Sequence, residues 1–394
     1  MTATLSASTT EALLGVYRKP PMELVRGAGV ELFDTDGKSY LDFVAGIAVN
    51  ALGYGDPGLE QAMRDAMEGS LIHTSNLYRT QAGERLAERL VDISFAERVF
   101  FCNSGAEANE GAFKLARRWG RAKGGTAKHE IIALRGAFHG RLFGTLAATD
   151  RPSYRAPFRP LAGGISIVER DLDELDAALN PETVTAVIAE PIQGEGGVRV
   201  LDPKFLQALR AMTLERGILL ILDEIQCGYA RTGKFWAHEH SDITPDILTT
   251  AKPMAGGLPM GAILTTREVA DTMQPGDHGT TFGGGPFISA VALHVLGRLS
   301  DASMLKHVRE RGMQVKKGLD AIAKSSSKVR AVRGTGLMWG IDVADPAKDI
   351  VGRAMELGLL ICSAGEHTLR LLPPLVVSKA DVDRGLGLLK HAIG

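Results

Sequence analysis

"ILLILDEIQCGYARTGK", residues 218 to 234, changes character halfway along. Ile218 to Leu222 are consecutive aliphatic residues, a run that reads as a strand buried on both faces, and it passes directly into Asp223 and Glu224. A carboxylate at the tip of a buried strand calls for a cation.

Outward from this stretch the same rhythm recurs. "RVFFCNS" (98–104) precedes "AEANEGAFKLARRWG" (106–120), "EIIALRG" (130–136) and "TAVIAEP" (185–191) follow, and "KFLQALRAMTLERG" (204–217) leads into the quoted strand. Short apolar strands alternating with amphipathic, helix-length segments predict an α/β protein with a mainly parallel sheet, in which ligands collect at the carboxyl ends of strands. "GVELFDTDGKSYLDF" (29–43) instead alternates about Asp36-Gly37 as a hairpin does, and "KVRAVRGTGLMWGIDV" (328–343) reads as further strands after the polar connection "KSSSK", which is expected to be a solvated loop. The predicted organisation is a large domain over 61–298 and a smaller α+β domain built from both ends, 1–60 and 299–394.

Composition narrows the function. The 394 residues are 45% hydrophobic and 23% charged, and 45 Lys plus Arg stand against 46 Asp plus Glu, so no global field recruits nucleic acid or an acidic membrane. Cys102, Cys227 and Cys362 are widely spaced and odd in number, which argues against a disulfide framework or thiolate zinc site and for the cytoplasm. No basic leader and no apolar run of about 20 residues is present, so secretion and membrane insertion are not expected.

Three tempting motifs fail on mechanism. "GYARTGK" (228–234) resembles a phosphate loop, but Phe235 stands where a magnesium-binding hydroxyl is needed. "GTGLMWG" (334–340) is one residue too long for the dinucleotide fingerprint, and His238 and His240 are two apart where a helical zinc site wants four, so both are expected at the surface.

The remaining motifs suit one ligand. Ser104, Gly105 and Ala106 open a helix after a strand, where free N–H groups and the macrodipole favour an anion; taken alone they are equally an ordinary cap. Phe138 and His139 in "LRGAFHGRLFGT" (134–145) offer a flat ring beside that cradle, and Lys252 in "TTAKPMAGGLPMGA" (249–262) sits among small residues where lost solvation favours a nucleophilic amine. Anion cradle, aromatic plate, strand-end carboxylate and lysine are together what pyridoxal 5'-phosphate needs, with Asp223 paired to its protonated ring nitrogen.

At this point the chain resembles the class III, or ω-amino acid, aminotransferases of the fold-type I pyridoxal phosphate superfamily, most closely their acetylornithine aminotransferase branch. The resemblance runs from "VYRKPP" (16–21) to "LRLLPPLVV" (369–377) and rests on "SGAEANEGAFKLAR", "AFHGR", "EPIQGEGG", "LDEIQCGYARTGK" and "HGTTFGGGP" in this order. It implies that Gly105 and Ala106 hold the phosphate, Phe138 stacks on the ring, Gln226 serves the 3-hydroxyl region and Lys252 carries the cofactor covalently. It also implies that Thr281 reaches the phosphate in the neighbouring subunit, so that a homodimer is the active unit. Pro253, Gly285 and Tyr54 depart from the family pattern.

The same resemblance suggests how one site takes two unlike substrates. Arg370 in "TLRLLPP" is expected to bind the α-carboxylate of glutamate, with Glu195 neutralising it when an ω-amine is bound instead. Arg141 is expected to hold the distal carboxylate, with Tyr17 assisting. The implied reaction converts N-acetylornithine and 2-oxoglutarate to N-acetylglutamate semialdehyde and glutamate, in arginine biosynthesis. Ornithine, succinyl-diaminopimelate, 4-aminobutyrate and carrier-bound aminoadipate semialdehyde remain alternative amine partners. A semialdehyde aminomutase has no need of the Glu195 and Arg370 switch, and a regulator on this fold lacks a DNA-reading module.

Overall fold

The computed structural model describes residues 13–17 and 21–394. Its centre is a seven-stranded sheet whose strands run, edge to edge, Arg98–Cys102, Gly261–Thr265, Ile247–Thr250, Leu219–Asp223, Val184–Ala189, Glu130–Leu134 and Ile165–Val168. Only Gly261–Thr265 is antiparallel to its neighbours; the other pairings are parallel, as the strand and helix alternation predicts.

Both faces of the sheet are covered, which explains the unbroken aliphatic runs. Leu219 and Ile221 face the helix Gly105–Gly124, through Ala108, Ala112, Phe113 and Ala116. Leu220 and Leu222 face the opposite layer, against Leu206 and Leu209 of the helix Pro203–Glu215. Each fully buried aliphatic side chain contributes about 1.5–3 kcal/mol. This alternation separates the two acids at the strand end: Asp223 projects towards the first helix, Glu224 away from it.

The expected hairpin forms between Glu31–Asp34 and Ser39–Asp42, with the Asp34 Oδ1 accepting from the N–H groups of Asp36 (3.1 Å) and Lys38 (2.9 Å). Leu359–Leu360 adds to this sheet in parallel beside Ser39–Asp42, so residues from both chain ends share it. Val329–Thr335 and Met338–Val343 form an antiparallel pair, extended by Thr368–Leu371. "KSSSK" departs from its expected loop: the helix Ala302–Ser325 runs through Lys324 and Ser325 before ending.

Candidate functional site

The helix Gly105–Gly124 starts where the sheet's carboxyl ends converge. Ser104 caps it, its Oγ accepting from the Glu107 N–H at 3.2 Å. That leaves the N–H groups of Gly105 and Ala106 without an intrahelical acceptor. A Cβ at Gly105 would lie 2.8 Å from Ile225, so only glycine lets the loop after Asp223 close over this end. Gly140 has φ 137°, and a Cβ there would meet Ala106 at 2.8 Å; its absence lets the Phe138–Arg141 segment pass across the cradle.

Asp223 is 4% exposed and densely solvated by protein. Its Oδ2 accepts from the Asn109 Nδ2 at 2.7 Å and lies 2.8 Å from the His139 Nδ1, while its Oδ1 accepts from the Ile225 N–H at 3.1 Å. Phe138 is partly exposed beside it, its N–H donating to the Glu190 Oε2 at 3.0 Å. Burial first, and then the neighbouring Asp223, push the Glu190 carboxyl well above the ordinary glutamate range. Asn109, Glu190 and Thr249 escape a sequence reading; Glu190 lies in the quoted "EPIQGEGG", yet only its burial distinguishes it from a surface acid.

Lys252 follows the strand Ile247–Thr250, in a turn closed by the Met254 N–H and Ala251 C=O at 2.7 Å. Pro253 is accommodated in that turn. Burial pulls the Lys252 ammonium down to about 8, and Arg370 adds to the shift against Glu195, Asp223 and Glu190. Lys252 therefore lies within electrostatic reach of these four charged groups.

Arg370, on Thr368–Leu371, is 2% exposed. Its Nη2 meets the Glu195 Oε1 at 2.7 Å, its Nη1 donates to the Gln226 Oε1 at 3.2 Å, and its Nε lies 3.4 Å from the Cys362 Sγ. Burial works to lower the Arg370 pKa, but Cys362 and Glu195 outweigh it and hold the guanidinium above its usual value. A second arginine secures the same acid by its backbone, Arg151 donating to the Glu195 carbonyl.

Not every predicted residue joins this cluster. Arg141 is exposed and lies over the Tyr154 ring at 3.5 Å, with Phe138 at 5.9 Å. Thr281 is exposed, on a segment held through Thr280 and Gly283, whose carbonyls accept from the Asn76 Nδ2 at 3.0 and 3.3 Å. Tyr17 is 88% exposed and its hydroxyl has no partner among the described residues. Tyr54 donates to the Asp42 Oδ2 at 2.6 Å, and Asp42 also holds the N–H groups of Val44 and Ala45 as the chain enters four left-handed residues, Ala45 to Ala48. Gly285 caps the helix Pro286–Leu299.

His238 is a correction. Expected at the surface, it is 6% exposed, its Nδ1 2.7 Å from the Glu224 Oε1. The Glu224 carboxylate also accepts from the N–H groups of Ala237 (2.6 Å) and His238 (2.8 Å). A buried acid opposite the cradle must find donors, and this loop supplies them, so Glu224 is structural while Asp223 keeps an acceptor position free.

The cradle that a Cβ would fill, the free acceptor on Asp223 and the desolvated lysine fit a phosphorylated pyridine ring bound through its aldehyde, the chemistry of amino-group transfer. Residues 16–393 match the family model described as aminotransferase class-III, and the chain belongs to that family. It is 44% identical over 390 residues to the acetylornithine aminotransferase of Gloeobacter violaceus, covering 98% of this chain and 97% of that one. Among solved structures it resembles the N-acetylornithine aminotransferase of Stenotrophomonas maltophilia, with a TM-score of 0.84, 37% identity and coverage of 95% and 96% of the two chains. It also resembles the ornithine aminotransferase of Toxoplasma gondii, in a structure reporting partial occupancy of PLP at the active site, with a TM-score of 0.93, 28% identity and coverage of 97% and 92%.

Proposed function

We propose that this aminotransferase moves the δ-amino group of N2-acetyl-L-ornithine to 2-oxoglutarate, giving N-acetyl-L-glutamate 5-semialdehyde and glutamate, as a step of arginine biosynthesis. The observation that carries this is the Glu195–Arg370 pair, a buried guanidinium whose counterion keeps access to solvent: the Glu195 side chain is 29% exposed, that of Arg370 only 2%. Glutamate brings a carboxylate on the reacting carbon and can replace Glu195 on Arg370; the δ-carbon of acetylornithine bears none, so Glu195 must return to avoid an unpaired buried cation.

Bound pyridoxal 5'-phosphate supplies an electron sink for the carbon that loses its proton. Gly105 and Ala106 bind its phosphate through their free N–H groups, with Ser104 shaping the turn. Phe138 covers the ring, and Asp223 holds its nitrogen with His139 behind the carboxylate. Gln226, whose Oε1 is engaged by Arg370, would have its amide Nε2 left to serve the ring hydroxyl. Lys252 Nζ would hold the cofactor covalently and would move the substrate proton as base and then acid, a task suited to an amine that burial holds near 8. Arg141 holds the distal carboxylate, and Tyr17 assists from the exposed N-terminal segment.

The active unit is a homodimer in this proposal. Thr281 and Phe282 are exposed beside Leu77 and Tyr78, an apolar surface suited to a second copy, and Thr281 then serves the partner's phosphate. The division at residues 60 and 298 belongs to the same proposal, supported by the pairing of Leu359–Leu360 with the N-terminal hairpin. No helix among the described residues is long and apolar enough to cross a membrane, and the three free cysteines suit a reducing compartment such as the cytoplasm.

The test is the visible absorbance of the purified protein mixed with one amino donor and no keto acid. N-acetylornithine and glutamate each bleach the cofactor band, and ornithine and 4-aminobutyrate do so far more slowly. A coloured protein that responds to glutamate but not to acetylornithine refutes the substrate; a colourless protein that cannot be reconstituted refutes the cofactor.

A further inference from the structure

Asn109 and Thr249 are both 0% exposed, so their polar groups must find partners inside the protein. Thr249 is the register partner of Asp223 on the adjacent parallel strand, so the two side chains share one face of the sheet. The helix Gly105–Gly124 crosses that face and lowers Asn109 between them. The Thr249 hydroxyl donates to the Asn109 Oδ1 at 2.7 Å, and the Asn109 Nδ2 donates both to the His139 carbonyl at 2.8 Å and to the Asp223 Oδ2 at 2.7 Å.

This chain of bonds runs in one direction only. Turning the Asn109 amide over would set its oxygen against two acceptors, the His139 carbonyl and the Asp223 carboxylate, so the amide has a single allowed orientation. The Thr249 hydroxyl satisfies Oδ1 from behind and holds the amide in place between its partners. Asp223 then has both positions on Oδ2 filled, by Asn109 and His139, and one on Oδ1 filled by the Ile225 N–H. The other ionisable groups facing it, Glu190, Lys252 and Cys227, make no hydrogen bond to its carboxylate among the described residues.

We propose that Thr249 and Asn109 form a polar relay that commits Asp223 to act only as an acceptor, so that the shared proton stays on the ring nitrogen of the bound cofactor. The ring nitrogen meets the carboxylate at the free position on Oδ1, and the three donors already bound favour the charged carboxylate, which leaves the shared proton on the nitrogen. Asn109 and Thr249 are thus positioning residues acting through Asp223, and this inference rests on the pyridoxal phosphate proposal above.

The experiment reconstitutes wild type, Thr249→Val, Thr249→Ser and Asn109→Leu with pyridoxal phosphate labelled with nitrogen-15 in the ring, and records the ring-nitrogen signal beside single-turnover rates. Val matches Thr in shape but leaves the buried Asn109 Oδ1 without a donor, loosening the amide that holds Asp223. Thr249→Val moves the signal from the protonated towards the neutral pyridine position and slows turnover several-fold, up to about tenfold, the effect of one lost hydrogen bond between neutral groups; Thr249→Ser restores both. Asn109→Leu moves the signal further, and where it lowers the yield of folded protein the Val and Ser pair decides. A Thr249→Val protein that takes up the cofactor fully and keeps the wild-type signal overturns the relay alone. A wild-type protein that takes up no pyridoxal phosphate overturns the cofactor proposal and the relay with it.

Discussion

Replacing Glu195 by Gln keeps the shape of the side chain and removes the charge that neutralises Arg370. The pair is short, at 2.7 Å, and the guanidinium side is 2% exposed. Breaking a fully buried ion pair costs about 3–5 kcal/mol. Here the loss is smaller, because Glu195 has access to water and Arg370 keeps Gln226 at 3.2 Å; about 1.5–3 kcal/mol, the range for a hydrogen bond to a charged group, is the appropriate figure. The two half-reactions feel this differently. With acetylornithine bound, Arg370 is left without a counterion, so kcat/KM for that donor falls about 10- to 100-fold. With glutamate bound, the substrate carboxylate itself neutralises Arg370 and no longer displaces an acid, so KM for glutamate falls. Stopped-flow bleaching of the visible band by each donor separately measures both terms. Equal losses for the two donors, or no loss for acetylornithine, would refute the exchange of Glu195 for a substrate carboxylate.

Three further outcomes follow from the same geometry. Lys252→Ala abolishes turnover, and borohydride reduction followed by peptide mass spectrometry finds the cofactor on the Lys252 peptide of the wild type but not of the variant. Because burial holds the Lys252 ammonium near 8 instead of 10.5, the free amine grows as pH rises through about 8; reconstitution of the apoprotein should accelerate to that point and then level, whereas a rate still climbing towards pH 10 would show an ordinary solvated lysine. Between these two values the unfolded chain holds a proton that the folded chain does not, so this group's contribution to stability rises with pH there, and Lys252→Met removes that slope. His238→Ala deprives the buried Glu224 of one of three donors and lowers stability by about 1–3 kcal/mol in urea unfolding, with the cofactor spectrum unchanged.

What the sequence reveals divides along physical lines. The run Ile218 to Leu222 is legible because burial on both faces demands aliphatic residues at every position, and its end is legible because Asp223 breaks the run. Ser104 and Gly105 are legible because a cap and a tight turn restrict residue types locally. His238 is misread because spacing along the chain excludes a helical zinc site without revealing that Glu224, fourteen residues earlier, is buried and needs its donors. Asn109, Thr249 and Glu190 are hidden for a related reason. A polar residue declares itself only through what it faces, and for these three that depends on the register between a helix, two strands and a loop 140 residues apart at the widest bonded pair. The local pattern brings Asp223 to the right place. Only the packing of Asn109 across Thr249 determines which positions of that carboxylate are taken: both on one oxygen are filled, and the other oxygen keeps one free. Under the relay proposed above, that free position is where the carboxylate at the end of the strand meets the cation of the cofactor ring.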